Sequence, residues 1–217
     1  MIDVKSLKKE YGERTVLDID TLEINDGEIL AVAGANGSGK TTLLKILAGQ
    51  IRPTGGELSL PGKKLYMPQQ SYAFRGDLIK NVTLGNADRE KAVKLLEKLG
   101  LSRLADKKAA SLSGGELQRL SLCRILARTA DLLLLDEPTS ACDAKGAELV
   151  VEAIKEYRGE TRCTVIMTTH SPALAMNAAD RLIILNNGKI EADGPPAAVL
   201  NEPKTDWAKS FIAGWKI

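Results

Sequence analysis

Ile29, Leu30, Ala31, Val32 and Ala33 form an unbroken apolar run, the mark of a strand buried on both faces. The run breaks at Gly34-Ala35-Asn36-Gly37-Ser38-Gly39-Lys40-Thr41. Apolar residues at helical spacing follow over 41–48, with Gly49 as a stop. Strand, glycine loop and helix in that order satisfy G-x-x-x-x-G-K-[ST] at each required position. Glycines at 37 and 39 let the chain wind tightly enough for successive N–H groups to point into one concavity. The helix that follows adds its positive end. Lys40 adds a point charge for β- and γ-phosphates, and the Thr41 hydroxyl can ligate Mg²⁺. The candidate phosphate-binding residues are therefore Gly34, Ala35, Asn36, Gly37, Ser38, Gly39, Lys40, Thr41 and Thr42.

A second apolar run, Leu132–Leu135, ends in Asp136 and Glu137. Such a strand carries its end to the carboxyl edge of a sheet. There Asp136 can hold Mg²⁺, directly or through water, and Glu137 can face a γ-phosphate and polarise an attacking water. The string Leu112-Ser113-Gly114-Gly115-Glu116-Leu117-Gln118-Arg119 supplies a second helix start. Ser113 can cap it, and two glycines permit close backbone approach to a ligand. One nucleotide seldom needs two such elements from one chain, so this one is expected to serve a nucleotide held by a second subunit.

The rest of the chain frames these motifs. The first 30 residues read as short antiparallel strands broken at Tyr11-Gly12 and Asn25-Asp26-Gly27. Residues 88–99 place Ala92, Val93, Leu95, Leu96 and Leu99 on one helical face with Gly100 behind them, and 116–128 repeat the spacing. Thr164–Thr168 and 182–185 are two more buried-strand candidates. Alternating strands and helices predict an α/β fold with a mainly parallel sheet. An N-terminal antiparallel β subdomain and a helical subdomain inserted at about residues 70–130 complete it, and 1–217 reads as one domain.

Composition removes several function classes. Lys plus Arg number 30 and Asp plus Glu 28, and a net charge of +2 leaves no electrostatic footprint for nucleic acid. Apolar runs such as Leu132–Leu135 fall far short of the roughly 20 residues needed to span a bilayer. Residues 1–12 lack the apolar centre of a secretory signal. Cys123, Cys142 and Cys163 are far apart and odd in number, so they read as reduced cytosolic thiols that pack rather than bind metal.

Together the motifs resemble the nucleotide-binding subunits of the ATP-binding cassette (ABC) family, whose core is a P-loop NTPase fold, over essentially the whole chain. Residues 34–41 resemble its Walker A motif, 112–119 its signature, and 132–136 followed by Glu137 its Walker B motif. Tyr11 stands where the family's adenine-stacking aromatic lies. Gln69, directly after Met67-Pro68 and preferred to Gln70, resembles the Q-loop glutamine. Thr168-Thr169-His170 resembles the segment of the switch histidine, and Ser140-Ala141-Cys142-Asp143 the D-loop, with Cys142 in place of the usual leucine. The resemblance implies an ATPase with catalytic roles for Glu137, His170, Lys40 and Gln69. It implies ATP contacts from Tyr11, from residues 34–42 and, across a head-to-tail dimer of two copies, from Ser113, Gly114, Gly115 and Gln118. Mg²⁺ falls to Thr41, Gln69 and Asp136. Separate transmembrane permease subunits and an extracytoplasmic binding protein are also implied, with this chain on the cytoplasmic side of the membrane.

A short similarity of residues 201–214 to the ends of phosphate and tungstate importer ATPases points to an oxyanion importer. The alternatives are a soluble ATPase of iron–sulfur assembly and an exporter or lipoprotein-release ATPase. Lys40 and Leu112 are too close for the coiled coil of a chromosome-maintenance ATPase, and one cassette is too few for a translation factor. Two aromatic groups stand outside the motifs. Tyr72, Phe74 and Arg75 suit either docking of a permease or packing within the helical subdomain. Trp207, Phe211 and Trp215 recur every four residues, a stripe that covers the protein's own sheet or meets a second subunit or the membrane partner.

Overall fold

The computed structural model describes residues 1–85 and 87–215. The chain begins with β1 (Ile2–Tyr11), β2 (Arg14–Ile24), β3 (Ile29–Gly34), α1 (Lys40–Leu47), β4 (Gly55–Ser59) and β5 (Lys64–Met67). Three helices follow, α2 (Leu78–Thr83), α3 (Arg89–Lys98) and α4 (Gly114–Leu126). Then come β6 (Leu132–Leu135), α5 (Ala144–Thr161), β7 (Thr164–Thr168), α6 (Pro172–Ala178), β8 (Arg181–Asn186) and β9 (Lys189–Gly194). Helices α7 (Pro196–Asn201) and α8 (Asp206–Trp215) close the described chain.

Strands β1 and β2 pair antiparallel, and β4 joins the free edge of β1. In β2, Leu17 and Ile19 are buried and, after a one-residue change of phase, so are Leu22 and Ile24, while Thr15, Thr21 and Glu23 are exposed. In β1 the left-handed Ser6 shifts the phase between buried Val4 and buried Leu7. The strands are antiparallel as expected but 10 and 11 residues long rather than short.

The central sheet runs β5-β6-β7-β3-β8-β9, parallel except for β9. Its middle strands are buried along their whole length, as a sheet covered on both faces requires. Their side chains divide between two cores with period two. Leu133, Leu135, Val165 and Met167 join the helices α2 to α6, whereas Leu132, Leu134 and Ile166 join α1 and the antiparallel sheet. The register places the carboxyl ends of β6, β7 and β3 side by side, so the loops after Gly34, Leu135 and Thr168 converge on one edge.

Candidate active site

The first of those loops winds through conformations that demand glycine. Gly34 has φ 149°, and a Cβ there would lie 2.3 Å from the Leu185 carbonyl oxygen. Gly39 has φ 107°, and a Cβ there would meet Leu17 Cδ2 at 2.6 Å and the Val16 oxygen at 2.8 Å. Gly39 also starts α1 with no side-chain cap and no acidic residue in the first turn, so the helix presents its positive end to the loop. Lys40 folds back over the loop, its Nζ donating to the oxygens of Gly34 at 2.8 Å and Ala35 at 3.1 Å. Burial pulls the Lys40 pKa down, and the charges of Glu137 and Asp136 oppose that pull.

A lattice of hydroxyls and carboxylates connects this loop to β6 and β7. Asp136 is buried, and its Oδ1 accepts from Thr168 Oγ1 at 2.7 Å and from Thr41 Oγ1 at 3.2 Å. Its Oδ2 accepts from the Tyr66 hydroxyl at 3.3 Å. Burial first, and then the Asp136 charge, push the Tyr66 pKa up and keep it a neutral donor. Glu137 stands in a left-handed backbone conformation, φ 52°, uncommon for a residue with a side chain. Its backbone N–H donates to Thr168 Oγ1 at 2.8 Å. Its two carboxylate oxygens are held separately: Oε1 lies 2.9 Å from His170 Nε2, and Oε2 accepts from Gln69 Nε2 at 3.0 Å. Tyr11, Lys40, Thr41, Gln69 and Glu137 line one cavity of about 340 Å³. Tyr11 is 53% exposed, with Lys9 Nζ 4.7 Å from its ring centroid.

The residues fit a nucleoside triphosphate with Mg²⁺. The Ser38 hydroxyl is buried in the phosphate loop with no hydrogen-bond partner among the described residues, a donor waiting for an acceptor. The glycine cradle excludes side chains, and the Thr41 hydroxyl and Asp136 carboxylate meet in the hard-oxygen pairing that suits Mg²⁺.

The signature string lies apart from this cavity, since none of Ser113, Gly114 and Gly115 lines it. Ser113 is exposed and caps α4 in a capping box with Glu116. A Cβ at Gly115 would approach the Ala141 oxygen to 2.7 Å, so this glycine serves the packing of α4 on the 139–142 turn. Gln118 corrects the expectation of a nucleotide contact. Its side chain is 1% exposed, with Nε2 donating to the Glu137 oxygen at 2.7 Å and Oε1 accepting from Ala141 N at 2.8 Å. The amide therefore ties α4 to the turn that follows Glu137 within its own protomer.

Sequence reasoning passed over Thr168, Tyr66 and Arg14 as site residues. Thr168 was legible as a hydroxyl ending an otherwise aliphatic buried strand, although the two bonds it makes depend on the β6–β7 pairing. Arg14 lines the cavity, its guanidinium 3.8 Å from where a Gly37 Cβ would stand. The three cysteines are free, and burial pushes each thiol pKa up, Cys163 to about 11, which leaves them unreactive packing groups.

A glycine-rich phosphate loop, a buried aspartate beside its threonine and a glutamate held by histidine and glutamine define a P-loop nucleotide-binding domain built for hydrolysis. A family model described as ABC transporter matches residues 17–140. The chain is 35% identical to the glutamate/aspartate import ATP-binding protein GltL of Escherichia coli, covering 98% of both chains. It is 34% identical to the spermidine/putrescine import ATP-binding protein PotA of Mannheimia succiniciproducens over 98% of this chain, but spans only 62% of that protein's length. The sulfate/thiosulfate import ATP-binding protein CysA of Synechococcus elongatus is 34% identical, over 97% of this chain and 68% of its own. Among solved structures, the ATP-binding cassette MJ0796, as a post-hydrolysis dimer bound to ADP and Pi, superposes with a TM-score of 0.80 at 28% identity, covering 90% of this chain and 99% of that one. The chain belongs to the ABC transporter family.

Proposed function

We propose that this chain hydrolyses ATP at a site completed by a second copy of itself and thereby powers import through separate membrane subunits. The two-sided grip on Glu137, by His170 Nε2 and Gln69 Nε2, carries the reading. Glu137 is the general base. It takes the proton of the attacking water as the water oxygen bonds to the γ-phosphorus and the bond to the β-phosphate bridging oxygen breaks, leaving ADP and phosphate. His170 and Gln69 aim the carboxylate, Lys40 binds the β- and γ-phosphates, and the loop amides from Gly37 to Thr42 cradle them. Thr41, Asp136 and Gln69 would hold a Mg²⁺, which would supply charge neutralisation on the phosphate oxygens. Tyr11 stacks the adenine. Ser113, Gly114 and Gly115 of one protomer close over the nucleotide of the other, a reading supported by the dimeric cassette with ADP and Pi.

The rest of the assembly follows from the relatives, each named as an import ATP-binding protein. Residues 1–217 work as one ATPase domain, the helices at about 70–130 forming its inserted subdomain. No helix among the described residues is long and apolar enough to cross a membrane, so the path for cargo belongs to permease subunits and an extracytoplasmic binding protein delivers it. The subunit then sits on the cytoplasmic face of the membrane. Tyr72 and Phe74 are about half exposed and meet edge to face at 5.4 Å, with the Arg124 guanidinium 4.6 and 5.0 Å from their centroids. They border a cavity of about 450 Å³, and with exposed Arg75 they form the permease-docking surface. An oxyanion is the proposed cargo, a reading supported by the sulfate/thiosulfate relative, although polyamine and amino-acid relatives are equally similar.

The test is Glu137→Gln. The amide keeps the shape and one of the two acceptor oxygens but accepts no proton, so turnover is expected to fall by about 10² to 10⁴ while ATP binding persists. A variant that hydrolyses ATP at the wild-type rate would sink the general-base role.

A further inference from the structure

The aromatic stripe of α8 is the motif that the site does not absorb. It packs on the protein's own core: Ala208 and Ile212 are buried, and Trp207, Phe211 and Trp215 lie partly buried against the larger core. The three rings form a ladder. Trp207 stacks on Phe211 at 5.2 Å and 6°, and Phe211 meets Trp215 at 5.6 Å and 33°. The first end of α8 is anchored through Thr205, whose hydroxyl caps Ala208 N at 3.1 Å and donates to Glu191 of β9. At the other end the Trp215 indole N–H donates to the backbone oxygen of His170. His170 is the residue whose ring holds Glu137.

We propose that α8 is a strut for the catalytic pair and that Trp215 is a positioning residue for His170, setting the height of its backbone so that Nε2 meets Glu137 Oε1. This rests on the reading that His170 serves hydrolysis. The loop leaves β7 at Thr168, and its downstream side is fastened by Ser171, whose N–H donates to Thr169 Oγ1 at 2.9 Å and whose hydroxyl caps α6 at Leu174 N. Between those two fixed points the His170 carbonyl is held by the indole. Because the ladder is rigid in its stacking and anchored at β9, the bond fixes the loop to the sheet rather than to a freely moving side chain.

His170 is the only histidine of the protein, so its imidazole Cε1–H gives one proton resonance that reports its surroundings directly. Full-length wild type is compared with Trp215→Phe, which keeps the ring and removes the donor, and with Trp207→Phe, which perturbs the same ladder away from the loop. In Trp215→Phe the imidazole resonance is expected to shift, KM for ATP to stay, and kcat to fall about threefold to tenfold, the loss of one neutral hydrogen bond. Trp207→Phe is expected to leave resonance and kcat as in wild type. A wild-type resonance or a wild-type kcat in Trp215→Phe overturns the proposal, and so do equal effects from the two variants, which mean packing alone. Without any substitution, the Trp215 indole N–H of the wild type is expected to exchange slowly with solvent deuterium, and rapid exchange overturns the bond itself. His170→Ala separates the two layers of the argument: wild-type turnover there removes the underlying role of His170, and the strut falls with it.

Discussion

The chain has two helix starts that are rich in glycine, and they are built in opposite ways. At α1 the N-cap is Gly39, no side chain caps the first backbone N–H groups, and the charges nearby are the cations Lys40 and Arg14 with the carboxylates of Asp136, which accepts from the Thr41 hydroxyl, and Glu137. At α4 the N-cap is Ser113, and Glu116 takes up the Ser113 N–H and hydroxyl, each at 2.8 Å. Those two bonds, the backbone one foremost, hold the Glu116 carboxyl below the usual carboxylate range. The difference assigns the labour. An open helix start with a cation binds a polyphosphate within one protomer, whereas a start already closed by a carboxylate has little hold on an anion alone. In the proposed dimer it contributes when a second protomer brings the nucleotide to it.

The sharpest way to break this comparison is to damage each start in turn. Lys40→Ala removes the charged partner of the phosphates, and ATP affinity of the isolated protein should drop about tenfold to a hundredfold. Ser113→Arg should leave that affinity unchanged and abolish turnover, because the side chain fills the space of the partner's γ-phosphate. Equilibrium binding of a fluorescent ATP analogue, set beside steady-state ATPase assays, separates the two; equal loss of binding in both variants means the two starts do the same job.

Thr168→Val comes next in size. The methyl keeps the volume of the buried site, but Asp136 loses its 2.7 Å donor and the Glu137 N–H its acceptor. We expect kcat to fall about tenfold with small change in KM, as the loss of positioning at the carboxylate pair. A kcat within twofold of wild type would make Thr168 a packing residue.

That residue also marks where sequence reading stops. The loop 34–41 and the run Leu132–Leu135 with its two carboxylates were legible because their chemistry is local: a few adjacent residues set the turn, the helix start and the buried strand. Thr164–Thr168 was read with its observed bounds for the same reason. What Thr168 and Tyr66 do was not legible, since both reach Asp136 only through the register of β5, β6 and β7. Gln118 was misread because the direction of its amide is decided by how α4 packs on the 137–142 turn, which the motif does not encode. The length of β1 and β2 was missed because their solvent faces carry charged residues, which break apolar runs in the sequence without breaking the strand.

The smallest effect belongs to the cap of α4. Glu116→Gln keeps a hydrogen-bond acceptor and removes the charge, so at neutral pH only a slight fall in Tm is expected. Because the folded carboxyl titrates below its unfolded value, its contribution is present above the unfolded pKa of about 4.3 and is lost as pH falls through the folded one. Thermal unfolding should therefore show the gap between wild type and variant narrowing on acidification; a gap that widens would contradict the capping account.

The central claim, a site shared by two protomers, is tested most directly by mixing two inactive proteins. Lys40→Ala keeps an intact signature and Ser113→Arg keeps an intact phosphate loop, so their heterodimer holds one site with both intact parts. At an ATP concentration that leaves the Lys40→Ala phosphate loop unfilled, the account predicts that ATPase activity, absent from each protein alone, returns on mixing. A mixture that stays inactive, although both proteins are folded and Ser113→Arg still binds ATP, would contradict it.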